Sequence, residues 1–507
     1  MELTGASFGV FEVWGRISEG GMSRVWLARH RELSIPVIIK TLRDASERGS
    51  LESEPTLPGR VPMQSAGISA GEAYTRLRNE ARLMARIPSP RIVRAVDLGV
   101  HEGCPYLAQE YVDGLDLAEL DNRRRTALGR GLPLWFICHL IREVGDALHS
   151  AHQTGVLHRD VKPSNLFGAP QTGIRLGDFG IATTRDPRSA SQSGTLRFLA
   201  PEALRGHAPS RGWDIYSLGA TAYDLFYGQP PFTNLGEILG DAPVRFPAAS
   251  LAQEAYFQHV LARMLDRNPE RRFHSITLPM KLLGSLASTL RPSLHAVPIG
   301  RGAYQLGPVR VVCTMGDIAN AEVDGIVNSA HDEMGMRNGV GAALRKKGGQ
   351  VIEDEAMAGG RRALGQCIAT SAGSLGCKHV LHAVSAWREV SCIARTCQRA
   401  LLMAEELGLR TLAIPALGTG TARVVPEASA YAAASALHQH VLLGGTRLRE
   451  VRFVLYDRET LELFIEALNG TFLADADYLD MGGMLGTRAV EAGLDQTVNL
   501  DELRRLE

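Results

Sequence analysis

The sequence has little that points to a secreted, membrane-spanning or strongly charged protein. Its seven cysteines are odd in number and include no C-x-x-C pair, so neither a disulfide framework nor a zinc site is predicted. No apolar run approaches about 18 residues and no basic-then-apolar leader opens the chain, so we expect a soluble, cytoplasmic protein without a membrane span. The 55 basic and 55 acidic residues cancel, so the bulk charge gives no reason to expect a nucleic-acid partner.

Lysine is also scarce, since only six of the 55 basic residues are lysines. The placement of two of them, Lys40 and Lys162, is therefore informative. Apolar residues make up 45% and charged residues 22%, which is typical of an ordinary globular protein. With 507 residues the chain is too long for a single core, and about two to four domains are expected.

One short region combines carboxylate, amide and basic residues. Residues 158–165 read H-R-D-V-K-P-S-N, and residues 178–180 read D-F-G. This is the pairing of catalytic loop and metal loop found in protein kinases. Phosphoryl transfer needs a carboxylate to orient the attacking hydroxyl and oxygen ligands to hold Mg²⁺ against the ATP phosphates. We expect Asp160 to act on the hydroxyl, and Asn165 and Asp178 to bind the metal.

Two segments upstream resemble the phosphate-binding parts of a kinase. Residues 18–25 read S-E-G-G-M-S-R-V and are similar to the glycine-rich loop, with serines where the first and third glycines belong. Residues 37–40 read V-I-I-K and resemble the V-A-I-K strand, whose lysine binds the α- and β-phosphates. The expected nucleotide contacts here are Ser18, Gly20, Gly21, Val25 and Lys40.

A helix and a hinge complete the predicted nucleotide cleft. After a polar insertion at residues 43–71, an apolar stripe at helical spacing is formed by Tyr74, Leu77, Ala81 and Met84. Glu80 lies beside this stripe and is the candidate partner of Lys40, with Glu72 as a rival. Residues 106–114 resemble the kinase hinge, where Glu110 and Val112 would offer backbone groups to adenine and Gln109 would be the gatekeeper.

Downstream motifs follow in the kinase order. The triplet A-P-E at residues 200–202 closes an activation segment whose main candidate phosphorylation sites are Thr183, Thr184 and Thr195. Arg159 is the side chain that such a phosphate would pair with. Asp214 matches the helix aspartate that braces the catalytic loop, and Arg272 is expected to pair with Glu202.

Together these motifs resemble the bacterial serine/threonine protein kinases of the eukaryotic type, across about residues 8–285. The resemblance implies a bilobal α+β fold, ATP as co-substrate, Mg²⁺ or Mn²⁺, protein substrates with serine or threonine, and a homodimer formed through the N-terminal lobe. Lys162, two residues after Asp160, is the usual pattern of the Ser/Thr group. A weakly active or pseudokinase scaffold stays open as an alternative, because Ile38 replaces the usual alanine over the adenine pocket.

The composition changes after a predicted linker at residues 286–304. Strand-like runs then alternate with helical stretches, which predicts a three-layer α/β/α domain at residues 305–470, followed by an acidic, loosely ordered tail at 471–507. The predicted strands are Arg310–Thr314, Asp324–Val327, Val380–Ala383, Arg410–Pro415 and Val451–Tyr456. The predicted helices lie near residues 339–357, 391–407, 426–442 and 458–469.

Four segments in this half, G-D-I at 316–318, V-D-G-I-V-N-S-A at 323–330, N-G-V-G-A-A-L at 338–344 and I-P-A-L-G-T-G at 414–420, together resemble the macrodomain, an ADP-ribose-binding fold. By this resemblance Asp317, next to Ile318, would accept a hydrogen bond from the adenine amino group, and Asn328 would approach the distal ribose. The turn at Gly339 and Val340, at a helix N-terminus, would bind the diphosphate. The second phosphate loop would be formed by Gly418, Thr419 and Gly420.

Departures from the family pattern bear on activity. The N-A-A-N motif of the family reads N-S-A-H here, so His331 replaces the second asparagine. Hydrolysis requires the distal ribose and an attacking water to be held in a near-attack geometry, and this departure touches that end of the ligand. We therefore favour binding of ADP-ribose, or of an ADP-ribosylated protein, and keep ADP-ribosyl hydrolysis as the alternative.

Overall fold

The structure is a computed structural model that describes residues 7–19, 23–42, 70–179, 196–387 and 390–473. Several of the predicted features lie outside these residues: Gly20, Gly21, Thr183, Thr184, Thr195, most of the 43–71 insertion and nearly all of the 471–507 tail. The side chain of Ser18 is not described either. Among the helices of the described ranges, none combines enough length and apolarity to cross a lipid bilayer.

The first lobe is a six-stranded antiparallel sheet with one helix. Its strand order is β1-β2-β3-β4-β6-β5. The elements are β1 Ser7–Phe8, β2 Phe11–Glu19, β3 Ser23–His30, β4 Pro36–Leu42, α1 Ala70–Arg86, β5 Ala95–His101 and β6 Cys104–Glu110. Side chains alternate along β4, so Val37 and Ile39 are fully buried with Phe11 on one face. Ile38 and Lys40 consequently share the opposite face.

The second lobe is mainly helical. Its elements are β7 Leu115–Asp116, α2 Leu117–Leu128, α3 Leu134–Gln153, β8 Leu166–Ala169, β9 Gly173–Leu176, α4 Pro201–Leu204, α5 Arg211–Tyr227, α6 Leu235–Leu239, α7 Ala252–Met264 and α8 Thr277–Leu290. Helix α3 buries residues at helical spacing, including Ile137, Ile141 and Leu148, and packs against α5 and α8. Strands β7, β8 and β9 form a small sheet beside it.

The third unit is a mixed eight-stranded sheet with helices on both faces. Its strand order is β10-β11-β12-β19-β18-β13-β15-β14, and the pairs from β12 to β15 are parallel. The strands are β10 Ala296–Gly300, β11 Ala303–Leu306, β12 Val309–Met315, β13 Gly325–Ser329, β14 Cys367–Ser371, β15 His379–Ala383, β18 Thr411–Ile414 and β19 Glu450–Leu455, with a separate hairpin of β16 Ala386–Trp387 and β17 Val390–Ser391. The helices are α9 Gly339–Gly348, α10 Val351–Met357, α11 Ile393–Glu406, α12 Pro426–Leu442 and α13 Arg458–Phe472.

Alternation along the central strands separates two cores in this unit. On β13, Ile326 packs with Leu344 and Ile352 of the α9–α10 side, whereas the next residue, Val327, packs with residues of the α11–α13 side such as Leu401. Because successive side chains of a strand point to opposite faces, a sheet buried on both sides needs apolar residues at consecutive positions. This is the three-layer α/β/α architecture that was predicted.

The predicted linker at residues 286–304 is wrong over most of its length. Helix α8 continues to Leu290, and β10 pairs with β11 from Ala296 as the edge of the eight-stranded sheet. Apolar residues at helical spacing carry α8 past the predicted boundary, and the pairing of β10 depends on a partner strand that composition does not reveal. Only residues 291–295 lie between the two elements.

The kinase-like part and the α/β/α unit pack directly against each other. Helix α11 lies on α2, and Leu402 and Leu443 belong to the same buried apolar cluster as Leu117 and Leu120. The α/β/α unit therefore packs on the second lobe close to the segment that joins β6 to β7, and this segment connects the two lobes.

Candidate active site and ligand site

Lys40 lies at the centre of the cleft between the first two lobes. Its Nζ is 2.9 Å from Glu80 Oε1 on α1 and 2.8 Å from Asp178 Oδ1. Glu80 is buried, whereas Glu72 is exposed in the first turn of α1. Burial disfavours the charge on Lys40, but the carboxylates of Asp178 and Glu80 outweigh it, so the pKa of Lys40 lies well above its usual value. Lys40 therefore stays cationic and faces the cleft.

The catalytic loop holds Asp160 by two donors on one oxygen. Lys162 Nζ is 2.8 Å from Asp160 Oδ2, and Asn165 Nδ2 donates to the same oxygen at 3.1 Å and to the Asp160 carbonyl at 2.8 Å. Among the described residues both side-chain contacts reach Oδ2, so the second oxygen, Oδ1, is left for a hydroxyl substrate. The arrangement suits a carboxylate that orients an attacking hydroxyl.

A buried aspartate fixes the backbone of this loop. Asp214 on α5 is fully buried and accepts hydrogen bonds from His158 N at 3.0 Å, from Arg159 N at 2.7 Å and from His152 Nε2 at 2.7 Å. Burial alone would raise the pKa of Asp214, but these donors and the His152 ring lower it below the usual range. Asp214 is therefore an ionised brace for the loop that carries Asp160.

The metal-loop segment is locked against the catalytic loop through His158. Its Nε2 is 3.0 Å from the Gly177 carbonyl, its Nδ1 accepts from Asp160 N at 3.3 Å, and its ring lies 4.6 Å from that of Phe179. Burial lowers the pKa of His158, so the neutral ring donates from Nε2 and accepts at Nδ1.

Two motif residues adopt a strained backbone. Arg159 and Asp178 have φ angles of 66° and 52°, in the left-handed region that non-glycine residues rarely occupy. Such conformations cost about 1–3 kcal/mol each and persist where the surroundings over-determine them. The hydrogen bonds of Asp214 and the ion pair with Lys40 supply that constraint here.

A buried ion pair fixes the segment that follows residues 180–195. Arg272 donates to Glu202 through two nitrogens, at 2.6 and 2.8 Å, and both side chains are almost completely buried. Paired nitrogens and paired oxygens match in geometry, which makes this contact strong and directional. The residue at the end of the predicted activation segment is thus attached to the body of the second lobe.

The remaining predicted nucleotide contacts line the cleft around Lys40. Val25 on β3 pairs directly with Lys40 on β4, and Ile38 on the same face packs against Trp14 and Leu27. Gln109 is buried behind the cleft, with Nε2 3.5 Å from Glu80 Oε1. Glu110 ends β6, and Val112 follows it in the hinge segment, whose Gly114 N donates to the Val112 carbonyl at 3.0 Å.

The donor set of the cleft fits a hard divalent cation. Asn165 donates both of its hydrogen bonds through Nδ2, which leaves its amide oxygen for a metal, and its backbone carbonyl accepts from Gly177 N at 2.9 Å, next to Asp178. Lys40 lowers the pKa of Asp178, so this carboxylate is ionised. No cluster of three or more His, Cys, Asp or Glu side chains in the described part of the chain could hold a metal. Two protein oxygens suit Mg²⁺, which keeps waters and substrate phosphates as its other ligands.

A second site lies at one edge of the eight-stranded sheet. Strands β12, β13 and β18 are parallel, so their carboxyl ends meet at the same edge, where open α/β sheets bind ligands. Asp317 follows β12 and accepts from Ala319 N at 2.9 Å, which shapes a short helical turn over Ile318–Asn320. Asn328 is the penultimate residue of β13. The loop of residues 418–420 follows β18.

Asn328 presents an acceptor to this site. Its Nδ2 is 3.1 Å from His382 Nδ1, and His382 Nε2 is 2.9 Å from Thr370 Oγ1. Burial lowers the pKa of His382 to about 4, so the ring is neutral at physiological pH. Thr370 gives its hydroxyl proton to the Ser371 carbonyl at 3.0 Å, so His382 must donate from Nε2 and accept from Asn328 at Nδ1.

The chain of donors fixes the orientation of the Asn328 amide. Its Oδ1 is buried and has no hydrogen-bond partner among the residues that the structure describes. A buried acceptor without a partner is costly unless a ligand or water satisfies it. A ribose hydroxyl, as a donor, has the matching chemistry.

Backbone geometry shapes the two predicted phosphate loops. Gly339 opens α9 with a φ of 54°, and Val340 follows it in the first turn. Gly418 has a φ of 76°, and a side chain there would lie 2.8 Å from the Ala386 methyl carbon. Gly418 N also donates to Ser329 Oγ at 3.2 Å, which ties this loop to β13. Thr419 Oγ1 donates to the Ala416 carbonyl and closes the turn at 3.0 Å, with Gly420 next to it.

The sequence did not identify His382, Thr370 or Ser329 as parts of this site. Their contributions depend on strand pairing, since Asn328 and His382 are direct neighbours across β13 and β15. The one local signal was a histidine in an otherwise apolar strand, H-V-L-H-A at residues 379–383.

His331 is half-exposed, with Nδ1 2.6 Å from Asp332 Oδ1, and this contact raises the pKa of His331.

Comparison with known families agrees with both parts of this geometry. The protein kinase domain model matches residues 11–278, and the Macro domain model matches residues 327–433. The kinase match covers more than half of the 507 residues.

Individual relatives match the kinase part. The chain is 30% identical over 287 residues to the serine/threonine-protein kinase PknB of Mycobacterium tuberculosis, covering 52% of this chain and 41% of that protein. It is 34% identical over 238 residues to PknF of the same organism, covering 45% of each. The chain thus spans less than half the length of the curated relatives it matches.

Among solved structures, the kinase domain of M. tuberculosis PknI is 27% identical, covers 56% of this chain and 98% of that chain, and superposes with a TM-score of 0.42. From the match of the kinase model and the motif residues assembled around Lys40 and Asp160, we conclude that the chain belongs to the protein kinase family and carries a macro domain in its C-terminal half.

Proposed function

We propose that this protein transfers the γ-phosphoryl group of ATP to serine or threonine hydroxyls of protein substrates. The observation that carries the proposal is the position of Lys40, which contacts Glu80 and Asp178 at the same time. In kinases this arrangement accompanies the competent position of the helix glutamate and of the metal-binding aspartate. A scaffold without activity would not need Lys40, Asp160, Asn165 and Asp178 in the same cleft.

Each residue has a distinct role in the proposed reaction. Lys40 binds the ATP phosphates, and Glu80 holds the lysine side chain in place. Asp160 orients the substrate hydroxyl and accepts its proton, while Lys162 places a positive charge next to the transferred group. Asn165 and Asp178 would hold Mg²⁺ or Mn²⁺, which supplies positive charge at the phosphates. Glu110 and Val112 contact adenine through their backbone.

Labelled ATP tests this proposal. We expect the full chain, with Mg²⁺, to incorporate phosphate into a generic serine/threonine protein substrate or into itself, and Asp160→Asn to lose the activity. Asp146→Asn is the matched control, because Asp146 is half-exposed on α3 and outside the cleft. Incorporation that persists in Asp160→Asn, or that is absent from the wild type with either cation, contradicts the proposal. Phosphate on Thr183, Thr184 or Thr195 would identify the loop sites that Arg159 is expected to pair with.

For the macro domain we propose binding of ADP-ribose, free or attached to a protein. The support is Asn328 Oδ1, which has no partner among the described residues and lies at the carboxyl edge of the sheet, near the turn at Gly339 and the loop at residues 418–420. We expect Asp317 and Ile318, which follow β12 at the same edge of the sheet, to contact the adenine. Gly339 and Val340 begin α9, and the first N–H groups of a helix have no partner within the helix, which suits the diphosphate.

Calorimetric titration of ADP-ribose checks the second part. Gly418→Val should weaken ADP-ribose binding at least tenfold, because a side chain there meets Ala386 at 2.8 Å. Gly376→Val is the control, since no atom lies within 4 Å of a side chain at that loop position. Equal affinity of the two variants contradicts the assignment. Release of free ADP-ribose from a modified protein would instead indicate hydrolysis.

We propose a cytoplasmic protein that pairs through the first lobe, where Val10, Leu33, Ile35 and Val100 are exposed apolar side chains. Sedimentation of the full chain tests the pairing. A purely monomeric protein at micromolar concentration, or a dimer that is unaffected by Leu33→Glu, contradicts it.

A further inference from the structure

The macro domain contacts the hinge of the kinase domain through one carboxylate. Asp113, next to Val112, accepts hydrogen bonds from Ala394 N and Arg395 N, both at 2.9 Å. These two N–H groups belong to the first turn of α11, which has no cap of its own from Cys392. A carboxylate at this position satisfies orphan donors and is favoured by the helix dipole. The kinase hinge therefore caps a helix of the macro domain.

Helix α11 continues this contact onto the second lobe. Gln398 accepts from Leu115 N at 3.0 Å and donates to the Gly168 carbonyl at 3.2 Å, so it bridges two strands of the small kinase sheet. Arg399 makes a two-pronged ion pair with Glu119 on α2, with both distances 2.6 Å. Leu115 and Glu119 lie within seven residues of Val112 in the hinge, and Gly168 lies on β8, which pairs with β7.

A buried arginine adds a second attachment to α2. Arg124 is 1% exposed and donates to the carbonyls of Leu443 and Gly444 at 3.1 and 3.0 Å. Both hydrogen bonds come from Nη2, and Nε and Nη1 are buried without a partner among the described residues, so the lost hydration of this charge is compensated in part. Both acceptors come from the macro domain, so Arg124 holds the end of α12 against the kinase.

One side chain of the macro domain reaches the first lobe. Leu364, in the loop between α10 and β14, packs against Trp14 and Leu27, the same cluster that Ile38 contacts. The macro domain thus touches the kinase on both sides of the hinge. Opening or closing the two lobes must change at least one of these contacts.

Leu364 also packs against the ligand end of the macro domain. The same side chain contacts a buried cluster that includes Ala330 and Met334. These residues lie in the loop that joins Asn328 to the turn at Gly339. Met334 is fully buried with a φ of 62°, so this loop is held in a strained conformation.

The loop has polar links to the segment of Leu364 as well. Arg362 N donates to the Asp332 carbonyl at 2.8 Å, and Arg361 lies 2.9 Å from Glu333. The loop between Asn328 and Gly339 therefore contacts the segment that places Leu364 on the first lobe.

We propose that the macro domain is an internal regulatory partner of the kinase, and that ADP-ribose binding favours nucleotide binding through the Leu364 contact. The docked arrangement is the one in which Lys40 contacts Glu80 and Asp178, so a ligand that stabilises docking stabilises this arrangement. The inference rests on the proposed function of both sites. A coupling free energy acts in both directions, so ATP must raise the affinity for ADP-ribose by the same factor.

Paired titrations of the full chain measure this factor. The dissociation constant of ADP-ribose is determined with and without a saturating, non-hydrolysable ATP analogue and Mg²⁺. We expect the analogue to lower the constant at least about fivefold, at the small end of measured couplings. Leu364→Ala should bring the ratio to within twofold of one while both ligands still bind. Leu473→Ala, an exposed leucine of the same domain, is the control and should keep the wild-type ratio.

The outcomes separate the inference from the functions on which it rests. If ADP-ribose does not bind the wild type, the proposed macro-domain function is wrong. If both ligands bind and their affinities are independent, or if Leu364→Ala keeps the full coupling, the regulatory contact is wrong. Competition between the two ligands would also overturn it. In the Gly418→Val variant the macro-domain site is blocked, so any ADP-ribose that still binds to this variant binds in the kinase cleft.

Discussion

Replacing Arg272 with methionine removes a guanidinium that five acceptors surround. Its nitrogens donate to both carboxylate oxygens of Glu202 and to the carbonyls of Asp266, Gly212 and Arg267, and its Cζ lies 4.9 Å from the centre of the Tyr216 ring. Methionine keeps most of the apolar volume but leaves Glu202 as a buried, unpaired carboxylate. Breaking a buried pair in this way costs about 3–5 kcal/mol.

That cost should appear in the melting temperature of the kinase domain. For a unit of this size, 1 kcal/mol shifts the midpoint by about 2–4 °C, so Arg272→Met should lower it by roughly 6–20 °C. The assay is thermal unfolding followed by circular dichroism at fixed protein concentration. Arg271→Met is the matched control, since Arg271 is the exposed neighbour and should shift the midpoint by less than about 2 °C.

A double variant separates the charge from the packing. Neutralising the partner in Glu202→Gln/Arg272→Met removes the buried charge, so this variant should melt above Arg272→Met alone. A shift of Arg272→Met no larger than that of the control would refute the reasoning. So would a double variant whose loss equals the sum of the two single losses, because independent residues add and paired residues do not.

Three further outcomes follow from the geometry. Lys40→Met should lower kcat/KM at least about 100-fold in the labelled-ATP assay, because it removes the charge that faces the phosphates, and unchanged turnover would contradict that role. His382→Phe should weaken ADP-ribose about 5–150-fold, as expected for one buried acceptor left misoriented, while ADP, which lacks the distal ribose, binds as before. Burial raises the pKa of Asp113 to about 6 from an ordinary 3.8, so between about pH 4 and 6 the folded chain binds a proton that the unfolded chain has released. The free energy of unfolding should therefore fall as the pH rises through this range. Urea titrations at several pH values should show this fall in the wild type and a smaller fall in Asp113→Asn.

Much of the kinase site could be predicted because its residues are close in sequence. Asp160, Asn165 and Asp178 lie within one short stretch, and the chemistry of phosphate and metal restricts which residue types serve there. The pairing of Glu80 with Lys40 needed one more step, helix periodicity: Leu77 and Met84 turn inward, and Glu80 lies on the face between them. Local rules suffice for both.

The orientation of Asn328 could not be predicted from such rules. It depends on His382, a neighbour across two strands, and on Thr370, on an edge strand that the sequence did not indicate. The strand of Thr370, Cys367–Ser371, is short and mixes small and polar residues, so its pairing is specified by the neighbouring strand more than by its own pattern. Proton positions along this chain follow only when all three partners are known.

The contacts between the two domains could not be predicted from the sequence for a related reason. Asp113 and Arg124 are polar residues that a local reading assigns to a solvated hinge and a solvated helix face, yet Arg124 is fully covered and Asp113 caps a helix about 280 residues away. The macro domain supplies hydrogen-bond partners to the partly buried Asp113 and to the fully buried Arg124. Separation of the domains would leave the first turn of α11 and the carbonyls at the end of α12 without these donors and acceptors. The same polar contacts that make the interface specific therefore make it dependent on the positions of α2 and the hinge, and this is the property that a regulatory contact requires.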